Sequence, residues 1–511
     1  MKLKKHLALI LALAMLSAAA LSGAAFAEDT WNGTVGTVPQ PVGDIITITT
    51  GAQLAALAAD VNSGNTYKDN TIRLGDDINL NNHSWTPIGY FTGYKSPTLP
   101  NPDNKPFKGI FDGAGHTIRG LNVAVTNMNQ GHTAALFGYV EYVKQNQTKD
   151  KALAAARPAP SAGEIWAAAH EEALARGLAP EEANIFAMKR ADAVETFGVN
   201  PYAASAARGI APPPVVSKGT VKNLIVKGSV SNTAGGGASG IVCWNDGKIQ
   251  NCRFEGTVSA TQSLRAYVGG VSSLIGEYAS IQNCVTSVDV TALGTLYSYG
   301  GGILGFCYVS TTSSDIFDAY GSIANCSVEQ GSTINSQMDA GGVIGGFAYK
   351  VYNCSSAASN VLVNGQPSGT YRGGIVGGFG AATNCYWHKG TNNIYQPTYA
   401  VGGTTITTGR KSTAASLPIA SVHFASPLSV SVGQNKTITR SYYPSVAGAN
   451  TPTLPIWASD KVSVATVSSG VVHGVSPGSA TIKGSGAGSP AWQPQQASMC
   501  VMPECYVTVT P

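Results

Sequence analysis

Short hydrophobic segments alternate with polar positions along most of the chain, and glycine-rich turns separate many of them. Between about residues 220 and 390, an apolar-glycine segment is followed each time by a turn and then by a strand that carries Asn-Cys. A period of two residues is typical of strands, and no helical period occurs in this region. The pattern predicts a repetitive, β-rich architecture.

The Asn-Cys phrase recurs at intervals near thirty residues. Its copies are Asn251-Cys252, Asn283-Cys284, Asn325-Cys326, Asn353-Cys354 and Asn384-Cys385, and an earlier copy has Asn223 before leucine. Successive asparagines are 28, 32, 42, 28 and 31 residues apart. A repeat of this size cannot bury its apolar face alone, so it must stack on its neighbours in a β-solenoid.

Stacking predicts columns of like residues, because neighbouring parallel strands lie about 4.8 Å apart. We expect the asparagines to form a ladder in which side-chain amides bond from one repeat to the next. The cysteine beside each asparagine then serves as a small buried apolar residue. Paired glycines such as Gly373-Gly374 allow a tight corner that a Cβ atom would obstruct.

The glycine phrase and several upstream motifs resemble the GLUG repeat of bacterial surface and secreted proteins. The matching phrases are Gly373 to Gly378, Gln53 to Leu57, Ile72-Arg73-Leu74, Asp76 to Leu80, Trp85 to Gly89, Phe111 to Ile118 and Leu136-Phe137-Gly138. The resemblance covers roughly residues 44–143 and 218–405. It implies a right-handed parallel β-helix of the pectin-lyase-like, haemagglutinin-like kind.

A different pattern begins at about Leu417, where short strands recur every 8–12 residues or so between Gly and Pro turns. This spacing favours a β-sandwich. The order of its phrases, from Val430-Ser431-Val432 to Ala480-Thr481-Ile482, is similar to the bacterial Ig-like group 2 domain. Cys500 and Cys505 flank four residues near the last strand, and we predict a disulfide that closes this small loop.

Residues 144–217 fit neither pattern, since they are rich in alanine and charge and contain no cysteine. Ser161 and Glu164 form a capping box, and Pro180 precedes two glutamates at the start of a second helical stretch. We predict a helical hairpin inserted at a turn of the solenoid. It either marks the face that contacts partners or is a tolerated insertion without a role.

The N-terminus predicts export. Lys2, Lys4 and Lys5 precede an apolar run from Leu7 to Leu21, and Ala25-Phe26-Ala27 is a small-x-small cleavage site. We therefore predict a signal peptide at residues 1–27, cleaved after Ala27, with a retained anchor as the alternative. The β-helix then occupies 28–416, with its helical insertion at 144–217, and the Ig-like domain occupies 417–511. Secretion or cell-surface location without a membrane span follows, because no later stretch has the ~18 apolar residues that a span requires.

Charge excludes one class of function. The chain has 32 basic and 28 acidic residues, and three of the lysines lie in the signal peptide, which leaves 29 against 28. A chain without a basic stripe is a poor binder of nucleic acids. The nine cysteines of an exported chain would suggest disulfides, but five of them recur at one repeat position. We favour buried free thiols there, with bridges between repeats as the alternative.

Catalytic, cofactor and metal-binding constellations are not evident. His170-Glu171 resembles the start of a zinc motif, but Leu174 stands where the second histidine is needed. We therefore expect a monomeric, non-catalytic scaffold for adhesion or ligand binding. Its partner would be a protein or glycan of a host or neighbouring-cell surface.

A polysaccharide lyase or hydrolase is the main alternative, because β-helices of the pectin-lyase-like kind often act on sugars. Such chemistry needs acids that converge in one groove. The candidates are Asp76, Asp77 and Asp112, with His116 beside the turn that follows Asp112. A purely structural role in the cell envelope is a third hypothesis.

Overall fold

The computed structural model describes three stretches of the chain. They are residues 30–141 with gaps at 93, 97–98 and 128–132; residues 219–388 with gaps at 263–264, 277–278, 296, 308–320, 347, 364–371 and 379; and residues 399–511 with gaps at 402–403, 407–409, 412–416, 446–455 and 486–501. The predicted signal peptide (1–27) and helical insertion (144–217) lie outside these residues.

Parallel strands form two long sheets in the first two stretches. Sheet 1 contains, in order along the stack, Ile45–Ile48, Thr71–Leu74, Ile110–Asp112, Thr220–Lys222, Lys248–Gln250, Ser280–Gln282, Ser322–Ala324, Ala348–Tyr352 and Gly380–Thr383. Sheet 2 contains Ile78–Asn79, Thr117–Val125, Ile225–Asn232, Arg253–Gln262, Val285–Gly294, Ser327–Val328, Ser355–Ser356, Tyr386–Trp387 and Arg410–Lys411, with Thr333–Ser336 and Asn360–Val363 continuing two of these levels.

Two shorter parallel sheets complete the stack. Sheet 3 contains Thr133–Ala134, Gly236–Ser239, Arg265–Gly269, Tyr297–Gly301, Asp339–Gly341 and Arg372–Gly373. Sheet 4 contains Phe137–Glu141, Val242–Asp246, Ser272–Ile275 and Leu304–Cys307. Two small antiparallel hairpins are separate from these sheets: Tyr94–Ser96 with Leu99–Pro100, and Tyr399–Val401 with Thr404–Ile406.

The strand order shows that the chain winds through the sheets in turn and then repeats. Each full turn, which we call a coil, adds one level to the stack. Lys222 is paired with Gln250, and Gln250 is paired with Gln282 on the next coil. The intervals of 28 and 32 residues are therefore one circuit each. This all-β arrangement of stacked parallel sheets is compatible with the expected β-helix.

Aliphatic and aromatic side chains fill the interior of the stack. In seven neighbouring strands of sheet 1, from Thr71–Leu74 to Ala348–Tyr352, one residue in register points inward and is almost completely buried: Ile72, Phe111, Val221, Ile249, Ile281, Ile323 and Val351. Each coil adds one such residue to the column. The repeat therefore supplies the continuous core that a single coil could not form.

The one helix within the described residues, Gly51–Ser63, connects the first two strands of sheet 1 and was not among the elements predicted from the sequence. The Thr50 side chain accepts a hydrogen bond from the Gln53 amide at 3.2 Å, and Gly64 ends the helix with a left-handed φ of 118°. Leu54 and Leu57 are fully buried in the solenoid core. The helix thus packs its apolar face at the N-terminal end of the stack.

The C-terminal unit, residues 417–511, has a core of its own. Its strands are Ser421–Phe424 paired with Arg440–Tyr443; a sheet of Leu428–Ser431, Glu504–Thr510, Gly478–Ser485 and Ile456–Ser459; and a sheet of Asn435–Thr437, Val471–Gly474 and Ala465–Ser468. All these pairs are antiparallel except Leu428–Ser431 with Glu504–Thr510. A two-stranded, a four-stranded and a three-stranded sheet thus share one core in this unit.

Candidate functional site

The repeated asparagines occupy the corner between sheets 1 and 2, and we call this row the Asn column. Its members, Asn223, Asn251, Asn283, Asn325, Asn353 and Asn384, all have a left-handed backbone with φ between 51° and 56°. Asparagine tolerates this region better than most residues, because its short polar side chain bonds locally. The repeat therefore keeps asparagine where the chain turns from one sheet into the next.

Amide hydrogen bonds join part of the Asn column along the stack. The Asn251 Nδ2 donates to Asn223 Oδ1 at 3.1 Å, and the Asn283 Nδ2 donates to Asn251 Oδ1 at 2.7 Å. Asn283 and Asn325 are fully buried, whereas Asn384 at the far end is exposed. Buried and exposed members of the column thus share one backbone conformation.

The cysteines of the repeat lie just inside this corner. Cys252, Cys284, Cys326, Cys354 and Cys385 are all buried and carry free thiols. The Cys284 Sγ donates to the Ile249 carbonyl of the preceding coil at 3.8 Å, and Cys252, Cys326 and Cys385 make the equivalent contact. Burial, followed by contact with neighbouring thiols, raises the pKa of Cys252, Cys326 and Cys385 well above the usual value.

The predicted disulfide between Cys500 and Cys505 does not form in this structure. Cys505 carries a free thiol that is buried in the C-terminal unit and donates to the Ala425 carbonyl at 3.3 Å, while Cys500 lies outside the described residues. Strand alternation explains the difference, because Cys505 occupies an inward position between half-buried neighbours. Burial raises its pKa to about 12.

These thiols should resist modification in the native protein. In a Cys500→Ser background, every remaining cysteine is one of the eight buried ones that the structure describes. Because a thiol reagent must reach the sulfur atom and all eight thiols are buried, we expect negligible labelling until denaturant is added. Counting labelled thiols by mass spectrometry checks this. Native labelling of any repeat cysteine at the unfolded rate would contradict the buried column.

The C-terminal unit docks along the Asn column instead of following the solenoid as a detached spacer. The Val422 amide donates to Asn283 Oδ1 at 3.0 Å, and the Asn283 Nδ2 donates back to the Val422 carbonyl at 2.8 Å. The Asn251 Nδ2 donates to the Met502 carbonyl at 3.1 Å. Two side chains of the column, Asn251 and Asn283, thus bind main-chain groups of the C-terminal unit. No periodic signal in the sequence indicates this contact.

A charged cluster lies at one end of this interface. Arg73, Asp112 and Lys222 stand in register on three neighbouring strands of sheet 1. The Asp112 Oδ2 is 3.7 Å from an Arg73 guanidinium nitrogen and 3.6 Å from Lys222 Nζ. Asp112 is only 1% exposed, so its charge depends on these partners.

Three residues of the C-terminal unit, Glu504, Tyr506 and Lys483, complete the cluster. Glu504 lies 3.1 Å from Lys222 Nζ and 2.9 Å from Lys483 Nζ. The Tyr506 hydroxyl donates to Asp112 Oδ2. Burial alone would raise the pKa of Glu504, but the charges of Lys222 and Lys483 outweigh it and lower this pKa to about 2. Burial, then the charges of Asp112 and Glu504, raises the pKa of Tyr506.

This cluster makes the docking sensitive to acid. The pKa of Glu504 falls from its ordinary 4.5 to about 2 in the folded protein, so its stabilisation is complete above about pH 5 and is lost as the pH falls towards 2. The shift corresponds to about 3 kcal/mol. We expect Glu504→Gln to remove this part of the pH dependence. Urea unfolding at pH 5 and pH 2.5 measures the free energy of unfolding of both proteins. The same change with pH in wild type and variant would contradict the pairing of Glu504 with the lysines.

The acids considered for a catalytic groove are engaged in other contacts. The Asp77 Oδ1 lies 3.1 Å from His116 Nδ1 and accepts the Thr117 amide at 2.9 Å. The hydrogen bond from His116 is the main cause of the lowered pKa of Asp77. Asp76 accepts the amide of Asp77 at 2.8 Å, and Tyr506 covers Asp112. These contacts use the carboxylates to hold turns and the interface.

Two further observations apply to the part of the chain that the structure describes. It contains no group of three or more His, Cys, Asp or Glu residues that could hold a metal ion. None of its helical segments has the length and apolar character needed to cross a bilayer.

Comparison with known proteins adds no relative. The chain matches no protein-family model and no curated protein.

Proposed function

We propose that the protein is an exported bacterial scaffold, secreted or held at the cell surface, that binds a surface protein or glycan without catalysis. In this proposal the stack is a GLUG-type right-handed β-helix, and the C-terminal unit is an Ig-like domain of bacterial group 2. The predicted export signal at 1–27 and the repeat motifs of the sequence support the location. Nucleic acids are poor candidates as partners, because the mature chain is nearly neutral.

The outer face of sheet 2 is the observation that carries this proposal. One row of short polar residues stands in register on six neighbouring strands: Asn122, Ser229, Thr257, Asp289, Thr333 and Asn360. All six are exposed or half-buried. The Thr257 hydroxyl donates to Ser229 Oγ at 3.0 Å, which fixes both groups.

Such a face suits binding by many weak contacts. Its polar groups repeat about every 4.8 Å and are held by a continuous sheet, so little conformational entropy is lost when a ligand binds. Individually weak contacts to a repeating ligand add up through multivalency. The row contains one charged residue, Asp289, and therefore favours neutral polar ligands over polyanions.

A binding experiment with variants of this face tests the proposal. Ser229→Lys and Thr257→Lys together place long charged side chains on the row without disturbing inward positions. We expect at least a tenfold loss of binding to cells and to arrays of surface glycans and proteins. Thr508→Lys is the matched control, because Thr508 is an exposed strand residue of the C-terminal unit. Equal binding by all three proteins would refute a role for this face.

The enzymatic alternative has a separate test. Purified protein is incubated with neutral and acidic polysaccharides, with and without Ca²⁺, and new chain ends are measured. A non-catalytic scaffold leaves every polymer intact, and cleavage of any of them would replace the binding proposal with a catalytic one. Detection of the protein in culture medium and on intact cells distinguishes release from surface attachment.

A further inference from the structure

The charged cluster at the interface has two halves, one from the solenoid and one from the C-terminal unit. The C-terminal unit contributes no residue to the solenoid half. Arg73, Asp112 and Lys222 come from three neighbouring strands of sheet 1, and Asn223 follows directly at the corner. Two cations and one carboxylate leave this half with an excess positive charge. A carboxylate is therefore the group that complements it.

Contacts within the solenoid orient this half. The Asp112 Oδ1 accepts the Ala114 amide at 3.0 Å and the Asn223 Nδ2 at 3.1 Å. Its Oδ2 faces the interface, where a hydroxyl group donates to it. The left-handed backbone of Asn223 is shared with the other corner asparagines, so its position follows from the repeat. Acceptor and donors are thus preorganised on rigid elements.

Glu504 and Tyr506 fill this arrangement as a ligand would. The Glu504 Oε2 accepts from Lys222 Nζ at 3.1 Å and from Asn223 Nδ2 at 2.9 Å. The Tyr506 hydroxyl donates to Asp112 Oδ2. Alternate residues of a strand share one face about 7 Å apart, so Glu504 and Tyr506 present a carboxylate and a hydroxyl together.

We infer that Arg73, Asp112, Lys222 and Asn223 form a binding site for a hydroxycarboxylate, such as a sugar acid, which Glu504 and Tyr506 occupy from within the same chain. Access to the site then requires the C-terminal unit to withdraw. The interface is suited to this, because amides, hydroxyl groups and charges make many of its contacts and it joins two separate cores. This site goes beyond the proposed scaffold function, which uses the outer face of sheet 2.

Chemical rescue in the full-length chain tests the site. Glu504→Ala removes the internal carboxylate and leaves Lys222 and Asn223 in place. We expect acetate to raise the thermal unfolding midpoint of this variant by several degrees, with saturation, relative to chloride at equal ionic strength. In Glu504→Ala/Tyr506→Ala, glucuronate should stabilise more than acetate, because it also supplies hydroxyl groups. Glucose tests hydroxyl groups alone and should have no effect.

A control variant and the wild-type chain complete the experiment. Adding Lys222→Met to Glu504→Ala should abolish the rescue, because the main cation is gone. Rescue that survives this change, or no rescue beyond that of chloride, would overturn the inference. If Glu504→Ala does not fold, the wild-type chain decides: glucuronate, but not glucose, should speed hydrogen exchange at 421–424 and 504–510, and unchanged exchange rejects the site. Neither measurement depends on binding to cells.

Discussion

Gly256→Ala is expected to destabilise the solenoid by about 3–4 kcal/mol. Gly256 pairs with Gly228 on the neighbouring coil of sheet 2. A Cβ atom at Gly256, whose φ is 146°, would lie 1.8 Å from the Gly228 carbonyl oxygen. The obstructing atom belongs to the main chain, so the two strands must separate. Urea unfolding followed by circular dichroism measures the loss.

Gly331→Ala separates this clash from backbone strain. Gly331 also has a positive φ, of 95°, but no atom lies within 4 Å of the position that its Cβ would take. The control should therefore lose only about 1 kcal/mol, the ordinary conformational cost. Similar losses in the two variants would mean that close approach of neighbouring coils does not limit residue size at Gly256.

Asn283→Ala is expected to cost about 4 kcal/mol and to loosen the C-terminal unit. Asn283 is fully buried and exchanges hydrogen bonds with both main-chain groups of Val422 and with Asn251. Its loss leaves the Val422 amide without this partner, which costs about 1–3 kcal/mol for each buried group, and alanine adds about 1 kcal/mol of backbone strain. Hydrogen exchange at 421–424 should rise with the loss of stability.

Asn384→Ala is the matched control for this variant. Asn384 has nearly the same φ, 52° against 51°, but it is exposed. This control should lose only the stability that corresponds to the backbone strain, and hydrogen exchange at 421–424 should stay unchanged. If Asn283→Ala behaves like Asn384→Ala, the amide of Asn283 contributes nothing to docking.

The repeat made the stacked sheets predictable, because a period near thirty residues leaves the chain few ways to bury its apolar positions. The intervals between asparagines also indicate which residues face each other on neighbouring coils. The helix at Gly51–Ser63 was missed although its signal is local. Thr50 and Gln53 have the spacing of a capping box, and Leu54, Leu57 and Val61 have helical spacing.

The docking of the C-terminal unit could not be predicted in the same way. Asn283 and Val422 are 139 residues apart, and their contact belongs to no repeat. Asp112 was considered as a sugar-cleaving acid, but its partner Tyr506 resembles any half-buried strand residue in the sequence. Docking between two units with different sequence patterns depends on the shape and charge of surfaces that are far apart in the sequence. Neither property produces a periodic pattern of residues.

The strand Ser421–Phe424 has a mechanical consequence. Together with Pro418 and Ser426 it contacts successive coils, from Ser355 through Asn283 to Ala114. Stacked repeats ordinarily yield one after another under load, since each touches only its neighbours. Here the segment 418–426 contacts several coils at once. A pulling force must therefore detach this segment before any coil that it contacts can unfold.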